Sequence, residues 1–519
     1  MPSKLMTPGV YIEEKNAFPG SAVAVETAVP VFIGYTEKAE RKGKSLKHVP
    51  TKVTSFAEYV EIFGNGYHHK FKIAAGSKPP FNSTALESPA EKFYFYDCIR
   101  LFYQNGGSNC YIMSLGTYGG ASPEVTKVKL EDFTDESMFK ALEKEYEPTL
   151  VLMPDVISKY ARPKKPEDAV EAYQVYVKVL MHCNTTQSRF GIFDLAQRDD
   201  AQTPDAEINE FRNSIGTSFL NYGAAYYPWL KTSIVAASEI DISNLDIQPD
   251  GLKTYLQDPK DTKLNDNVSS VIENWKKMLA EAKKVQTSAP DKYEIAIKSL
   301  NSNIHQSLLA TSPAYGQIMD EIRTRLNLLP PSSAMAGIYT LIDSSRGVWK
   351  SPANVSLAMV NAPSINISHN QQESMNVDVV GGKSINVIRP FPGIGTLVWG
   401  ARTLDGNSQD WRYINVRRTM IMMEQSLKLA CRAYVFEPND SGTWVTMQSM
   451  MNNFLFNLWK MGALAGSAPE QAYDVQVGLG KTMTPNDILD GILRVSVKVA
   501  VVRPAEFIVI TFQQMQQQA

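Results

Sequence analysis

Five residues, Gly478-Leu479-Gly480-Lys481-Thr482, imitate the end of a phosphate-binding loop, in which glycine backbone cradles phosphates and a lysine neutralises them. The first glycine of that pattern would stand at position 475, which is Val475. The loop's lysine and threonine should also open a helix. Here Thr484-Pro485-Asn486-Asp487 starts a separate short helix that ends at Gly491, so the segment reads as a turn before a capped helix. Asp155 and Asp194 follow two successive apolar strands of α/β type, where open sheets place ligands. Two carboxylates there suit metal ligation or acid/base work, but neither has a glycine-rich turn, and loop capping is the better reading. His68 and His69 are the only adjacent histidines and fall in a Lys/Gly-rich, solvated loop. Cys98, Cys110, Cys183 and Cys431 never approach a CxxC spacing and read as buried free thiols. With no HExxH, GxSxG or Cys-His constellation, the sequence predicts no enzyme, no cofactor and no metal.

The elements that would position these groups are those of a mixed α/β chain. With 519 residues, 44% hydrophobic and 20% charged, the length allows two to four domains and an ample core. A net charge of −2 gives no global field for nucleic acid or an acidic membrane. No apolar run spans a bilayer, and the N-terminus shows no apolar signal region, which predicts assembly in the cytoplasm. A strand region covers 23–35, with Pro30 marking a bulge or an edge. Residues 65–85 read as a surface loop. Ser88-Pro89-Ala90-Glu91 signals a helix running to about Gln104 and stopped by Asn105-Gly106-Gly107, with a strand from Cys110 to Leu115.

Strands at 150–153, 190–193 and 223–227 alternate with helices that begin near Pro166, with a stripe of Val170, Tyr173, Val177 and Leu180, and near Thr203-Pro204. Parallel pairing follows from that alternation. Residues 240–310 turn charged and helical, with Asp266 capping one helix and a second over about 290–310; Trp275 and the leucines there require burial. Two long helices follow at 413–436 and 443–463, where Arg417-Arg418 and Arg432 serve an acidic partner or a polar face equally well. Then comes a strand at 495–502.

Both ends look like strands without partners. Val10, Tyr11 and Ile12 follow Pro8-Gly9, and Glu506, Phe507, Ile508, Val509 and Ile510 follow Arg503-Pro504. Exposed runs of this composition aggregate unless something pairs with them.

An ordered set of motifs then resembles the contractile tail sheath proteins of phage tails and phage-tail-like injection particles. It runs Thr7-Pro8-Gly9-Val10-Tyr11, Phe102-Tyr103-Gln104 with Asn105, Gly106 and Gly107, the stretch from Tyr222 to Trp229, and Ala336-Gly337. It continues through Arg346, Gly347, Trp349 and Pro352, Trp399 to Leu404 with Arg402, Trp411 to Arg418 with Arg417, Phe436-Glu437-Pro438-Asn439, and Arg503-Pro504 to Ile508. Residues 240–310 lie outside it, as a subfamily insertion.

The resemblance implies hexameric rings stacked helically around an inner tube, in a metastable extended state that contracts to drive the tube through a target envelope. It implies an inner, tube-proximal α/β domain with terminal strand arms (1–40 with 345–519) and an outer inserted α/β domain (41–344). Trp349 suits a domain-junction anchor or a core residue equally. Implied partners are further copies of the chain, the inner tube protein, baseplate and tail terminator or cap proteins, and sibling sheath proteins, with no nucleic acid and no membrane insertion. A static shell with exchanged arms is the alternative reading, and an α/β nucleotide-dependent enzyme the next.

Overall fold

Six parallel strands form the middle of a nine-stranded sheet, in the order 386–391, 223–227, 190–194, 150–152, 30–36 and 110–117. Antiparallel strands flank them: Thr51–Val53 on one side, Gly395–Val398 and then Val355–Ser356 on the other. The computed structural model describes residues 22–74, 76–77, 79, 81, 86–87, 92–120, 123–160, 169–197, 204–258, 260–284 and 290–510.

Strands Pro30–Thr36 and Gly223–Tyr227 are buried at every residue, as strands covered on both faces must be, which explains their nearly continuous apolar sequences. Pro30 is neither at a bulge nor on an edge. It opens a central strand as its first residue, where a missing N–H is tolerated.

The crossover helices are those expected, with shifted bounds. Val170–Thr186 buries Tyr173, Tyr176, Leu180 and Cys183, so the inward face includes Tyr176 rather than Val177. The helix expected near Thr203-Pro204 runs Asp205–Ser214 and buries Ile208 and Phe211. The helix expected from residue 89 begins at Phe95 and ends at Gln104; its proposed cap at 88–91 lies outside the described residues, and 92–94 are non-helical.

Residues 235–326 build a helical lobe from Pro249–Leu256, Thr262–Lys284, Pro290–Thr311 and Pro313–Leu326. Trp275, Ile272, Ile304 and Ile318 share its core with Phe71, Ile73 and Phe81. The stretch 65–85 is therefore not merely a surface loop: its apolar residues complete this lobe. Asp261, not Asp266, caps the long helix, its Oδ1 accepting the Leu264 N–H at 3.0 Å.

The chain divides into two compact units, 28–414 and a smaller one of 1–27 with 415–519. The boundaries drawn from sequence at 40 and 345 both fall inside the larger unit, because 355–356, 386–391 and 395–398 complete the same sheet as 30–36. The smaller unit holds helices Ile414–Cys431 and Ser441–Lys460 and an antiparallel pair, Tyr473–Val477 with Val495–Val499. Within it, Val25 donates its N–H to Ser426 Oγ at 3.0 Å.

Candidate inter-subunit site

Among the described residues the sheet of the smaller unit is an antiparallel pair, in the register Tyr473↔Val499 to Val477↔Val495. Gln448 Nε2 donates to the Val475 carbonyl at 2.7 Å, so a helix side chain already serves one backbone group of the first strand. Beyond Val499 the chain stays anchored for three residues. Ala465 N–H donates to the Ala500 carbonyl at 2.7 Å, Leu464 bridges Val501, and Asn415 Nδ2 donates to the Val502 carbonyl at 3.0 Å. Arg503-Pro504 follow, and Pro504 has no N–H with which to continue a ladder.

The described residues 503–510 then run outside any strand. Phe507 is 71% exposed, Ile508 79%, Val509 88% and Ile510 71%, while Glu506 is half-buried. Four successive large apolar side chains in water are the arrangement that burial against a partner removes. The N-terminal counterpart, Val10, Tyr11 and Ile12, lies outside the described residues.

The remaining motif residues are structural supports. Asn105 ends helix 95–104; its Oδ1 accepts the Ala358 N–H at 2.8 Å and its Nδ2 donates to Leu101 O at 2.9 Å. Gly106 has φ +94, and a Cβ on Gly107 would fall 2.5 Å from the Phe102 ring. Gly337, on helix Ser332–Arg346, lies so close to this turn that a Cβ would sit 2.6 Å from the Phe102 carbonyl. Two motifs that are 230 residues apart in sequence thus form one helix contact.

Arg346 closes helix 332–346, and Gly347 (φ +88) turns the chain under the Trp349 ring. Trp349 is half-buried and Pro352 buried, both within the larger unit. Trp399 packs against Phe391 with ring centroids 4.4 Å apart and the planes tilted, and buried Arg402 donates Nη1 to Asn376 O at 3.2 Å. Arg417 and Arg418 are not a polar outer face. Both are buried: Arg417 pairs with Glu424 at 3.1 Å, and Arg418 donates to Thr27 O at 3.1 Å.

The groups singled out for chemistry are consumed by the fold. Asp155 accepts N–H bonds from Tyr35 (3.2 Å), Tyr94 (2.8 Å) and Phe95 (3.1 Å), fixing the start of helix 95–104. Asp194 holds the first residue of helix 332–346 through the Ser332 N–H and hydroxyl. Burial pushes both carboxyls up to about 7, against the lowering effect of those donors. His69 is buried rather than solvated, among Tyr67 and Phe93, and desolvation drops it to about 3.

At 478–482 Gly478 and Gly480 take positive φ, and Thr484 and Asp487 form a capping box for Pro485–Leu489. The turn reading holds. Cys98, Cys110 and Cys183 are buried and free, while Cys431 is half-buried. Among the described residues no cluster of His, Cys, Asp or Glu is placed to hold a metal, and no helix is long and apolar enough to cross a membrane.

Comparison with known proteins places this arrangement in a class. The mixed α/β fold matches contractile sheath structures. The sheath complex of an extracellular contractile injection system, PVC, in its contracted state is 26% identical, with 98% of each chain covered and a TM-score of 0.58. The contracted helical sheath of the anti-feeding prophage is 27% identical over 98% of this chain and 99% of that one, with a TM-score of 0.59.

Residues 407–515 match the phage tail sheath C-terminal domain. The tail sheath protein of Vibrio phage KVP40 is 23% identical over 190 residues, 37% of this chain and 27% of that protein. That of Burkholderia phage BcepMu is 25% identical over 171 residues, 32% of this chain and 36% of that protein. The matches to these phage proteins thus span only about a quarter to a third of their length. The chain is similar to contractile tail sheath proteins, and its residues 407–515 resemble their C-terminal domain.

Proposed function

We propose that this chain is the structural subunit of a contractile sheath, polymerising as stacked hexameric rings around an inner tube. The observation that carries the reading is the bare apolar segment 507–510, tethered by Arg503-Pro504 beside a two-stranded sheet, in a chain similar over 98% of its length to sheath proteins. A strand added to a neighbour's sheet gains main-chain hydrogen bonds and side-chain pockets. Four to six such bonds at a net ~1 kcal/mol each, with Phe507, Ile508 and Ile510 buried at roughly 1.5–3 kcal/mol each, make a firm link. Val10, Tyr11 and Ile12 would form the second link at the other end.

Links of this kind stay paired while the bodies between them rotate. Repacking of the larger units, slightly favourable per subunit, then sums along the assembly into concerted shortening that drives the tube through an envelope, without nucleotide hydrolysis. Partners in this scheme are other copies of the chain, the inner tube, the baseplate, the terminator or cap and any sibling sheath protein. Assembly takes place in the bacterial cytoplasm, within a phage tail or a tail-like particle.

The test is electron microscopy of purified particles before and after triggering, together with a chain lacking 505–519. Two helical states of different length and a truncated chain that stays monomeric are expected. A single rigid state would leave a static shell, and normal sheaths from the truncated chain would refute the arm links.

A further inference from the structure

Where glycine follows asparagine, the backbone nitrogen of the glycine can reach the asparagine carboxamide, because no Cβ stands in the way. The sequence holds two such steps, Asn65-Gly66 and Asn105-Gly106. The structure treats them in opposite ways. Asn105 is buried and both atoms of its carboxamide are bonded, Nδ2 to Leu101 O and Ala358 O, and Oδ1 to the Ala358 N–H. The Gly106 N–H donates to Tyr103 O at 3.4 Å. Neither reacting group is free until that helix end opens locally.

Asn65 is exposed, one residue past Gly64, which ends helix Phe56–Phe63 with φ +82. Among the described residues nothing accepts the Gly66 N–H and nothing donates to Asn65 Oδ1. Two side chains hold the step in place. Tyr118 donates its hydroxyl to Asn65 O at 2.8 Å. Glu37 Oε2 accepts the Asn65 N–H at 2.6 Å and lies 3.4 Å from Nδ2. Tyr118 is buried against Tyr67 and Phe93, and burial raises its phenol well above the usual range, so it stays a donor in alkaline solution.

We propose that Asn65 is a site of spontaneous deamidation, assisted by Tyr118, whose product is an acidic residue facing Glu37. Hydroxide removes the Gly66 amide proton. The anion is shared between the Gly66 nitrogen and Asn65 O, the atom to which Tyr118 already donates, so a preorganised donor stabilises it as it forms. The nitrogen attacks Asn65 Cγ. As that C–N bond forms, the Cγ–Nδ2 bond breaks, and Nδ2 takes a proton from water and leaves as ammonia, which restores the hydroxide. Water then opens the succinimide at either carbonyl, giving aspartate or isoaspartate. The site does not depend on whether the chain polymerises.

The product changes its surroundings. A carboxylate replaces the donor nitrogen beside Glu37, and two like charges are then held close together. Isoaspartate also adds one carbon to the main chain at this point. Glu37 and Asn65 line a groove of about 900 Å³, together with Thr117 and Gly119 at the end of strand Cys110–Thr117, so the reaction makes that groove more acidic.

The test holds the purified full-length chain at mildly alkaline pH, digests it at intervals and weighs the peptides by mass spectrometry. The peptide containing 65–66 is expected to gain the mass of an amide-to-acid exchange and to split into aspartate and isoaspartate forms. It should do so at least about tenfold faster than the peptide containing 105–106, which must first open locally. No conversion at 65, or equal conversion at both positions, overturns the site. In concentrated urea the two steps should convert at similar rates, and a preference for 65 that persists there overturns the part played by the fold. Tyr118→Phe keeps the ring packing and removes the donor, so conversion at 65 should slow several-fold; an unchanged or faster rate overturns the assistance by Tyr118.

Discussion

The side-chain amide of Asn105 pairs reciprocally with the backbone of Ala358, accepting its N–H at 2.8 Å and donating to its carbonyl at 3.2 Å. A residue that ends a helix thereby holds the turn between strands 355–356 and 360–363 across 253 residues of sequence. Asn105→Leu would leave both Ala358 groups without this partner and the Leu101 carbonyl with only the backbone N–H of residue 105. The expected loss is about 2–4 kcal/mol of unfolding free energy, read as a lower urea midpoint with an unchanged slope.

Asp194 and His182 should give opposite pH signatures. Burial raises Asp194 to about 7, partly offset by its two bonds from Ser332, so the folded chain holds that proton more tightly than the unfolded one. The stability this contributes is complete below about pH 4 and is lost as pH rises through 7. Compared with Asp194→Asn, the natural chain should lose up to about 4 kcal/mol between pH 4 and 8.

His182 is lowered to about 3, first by burial and then by the Arg189 guanidinium 2.6 Å from its Nε2. Its contribution is present above pH 6.5 and lost as pH falls toward 3. His182→Gln keeps an acceptor for Arg189 and should flatten that acid limb by roughly 2–4 kcal/mol. Denaturation curves at half-unit pH intervals measure both effects.

Lys481 is exposed on a turn whose glycines take positive φ, and no long helix begins beside it. Lys481→Ala is expected to leave stability within about 0.5 kcal/mol and assembly unchanged. Nucleotide binding by calorimetry that disappears in this variant would revive the enzymatic reading.

The sheet was legible where one residue pattern suffices. Continuous apolar runs at 150–152, 190–194 and 223–227, separated by amphipathic stretches, impose parallel strands. Long-range pairing was not. Nothing local tells that 386–391 and 395–398 extend the sheet begun at 30–36, so the domain boundary drawn from sequence fell inside one unit. Asp155 shows the same limit: its helix is capped by a carboxylate 60 residues away in sequence, which no local capping pattern near residue 88 reveals. Arg418 looks like a surface charge because its partner, the Thr27 carbonyl, is specified only by tertiary packing, whereas Arg417 pairs with Glu424 two turns along its own helix. The apolar run behind Pro504 stands out in sequence because its oddity is local, and the structure leaves Phe507 to Ile510 exposed and outside any strand.

The arm also admits a substitution that separates folding from assembly. Ile508 is 79% exposed and outside any strand of its own copy, so its N–H has no strand ladder to lose there. Ile508→Pro removes one donor from the middle of the added strand and clashes with the partner's edge, an arrangement sheets reject. The monomer should keep its melting temperature and circular dichroism, while polymers seen by negative stain disappear. Ile508→Val keeps the donor and most of the buried surface, and should assemble nearly as well as the natural chain. Polymers of normal length from Ile508→Pro would show that the segment docks through side chains alone, without joining a neighbour's sheet.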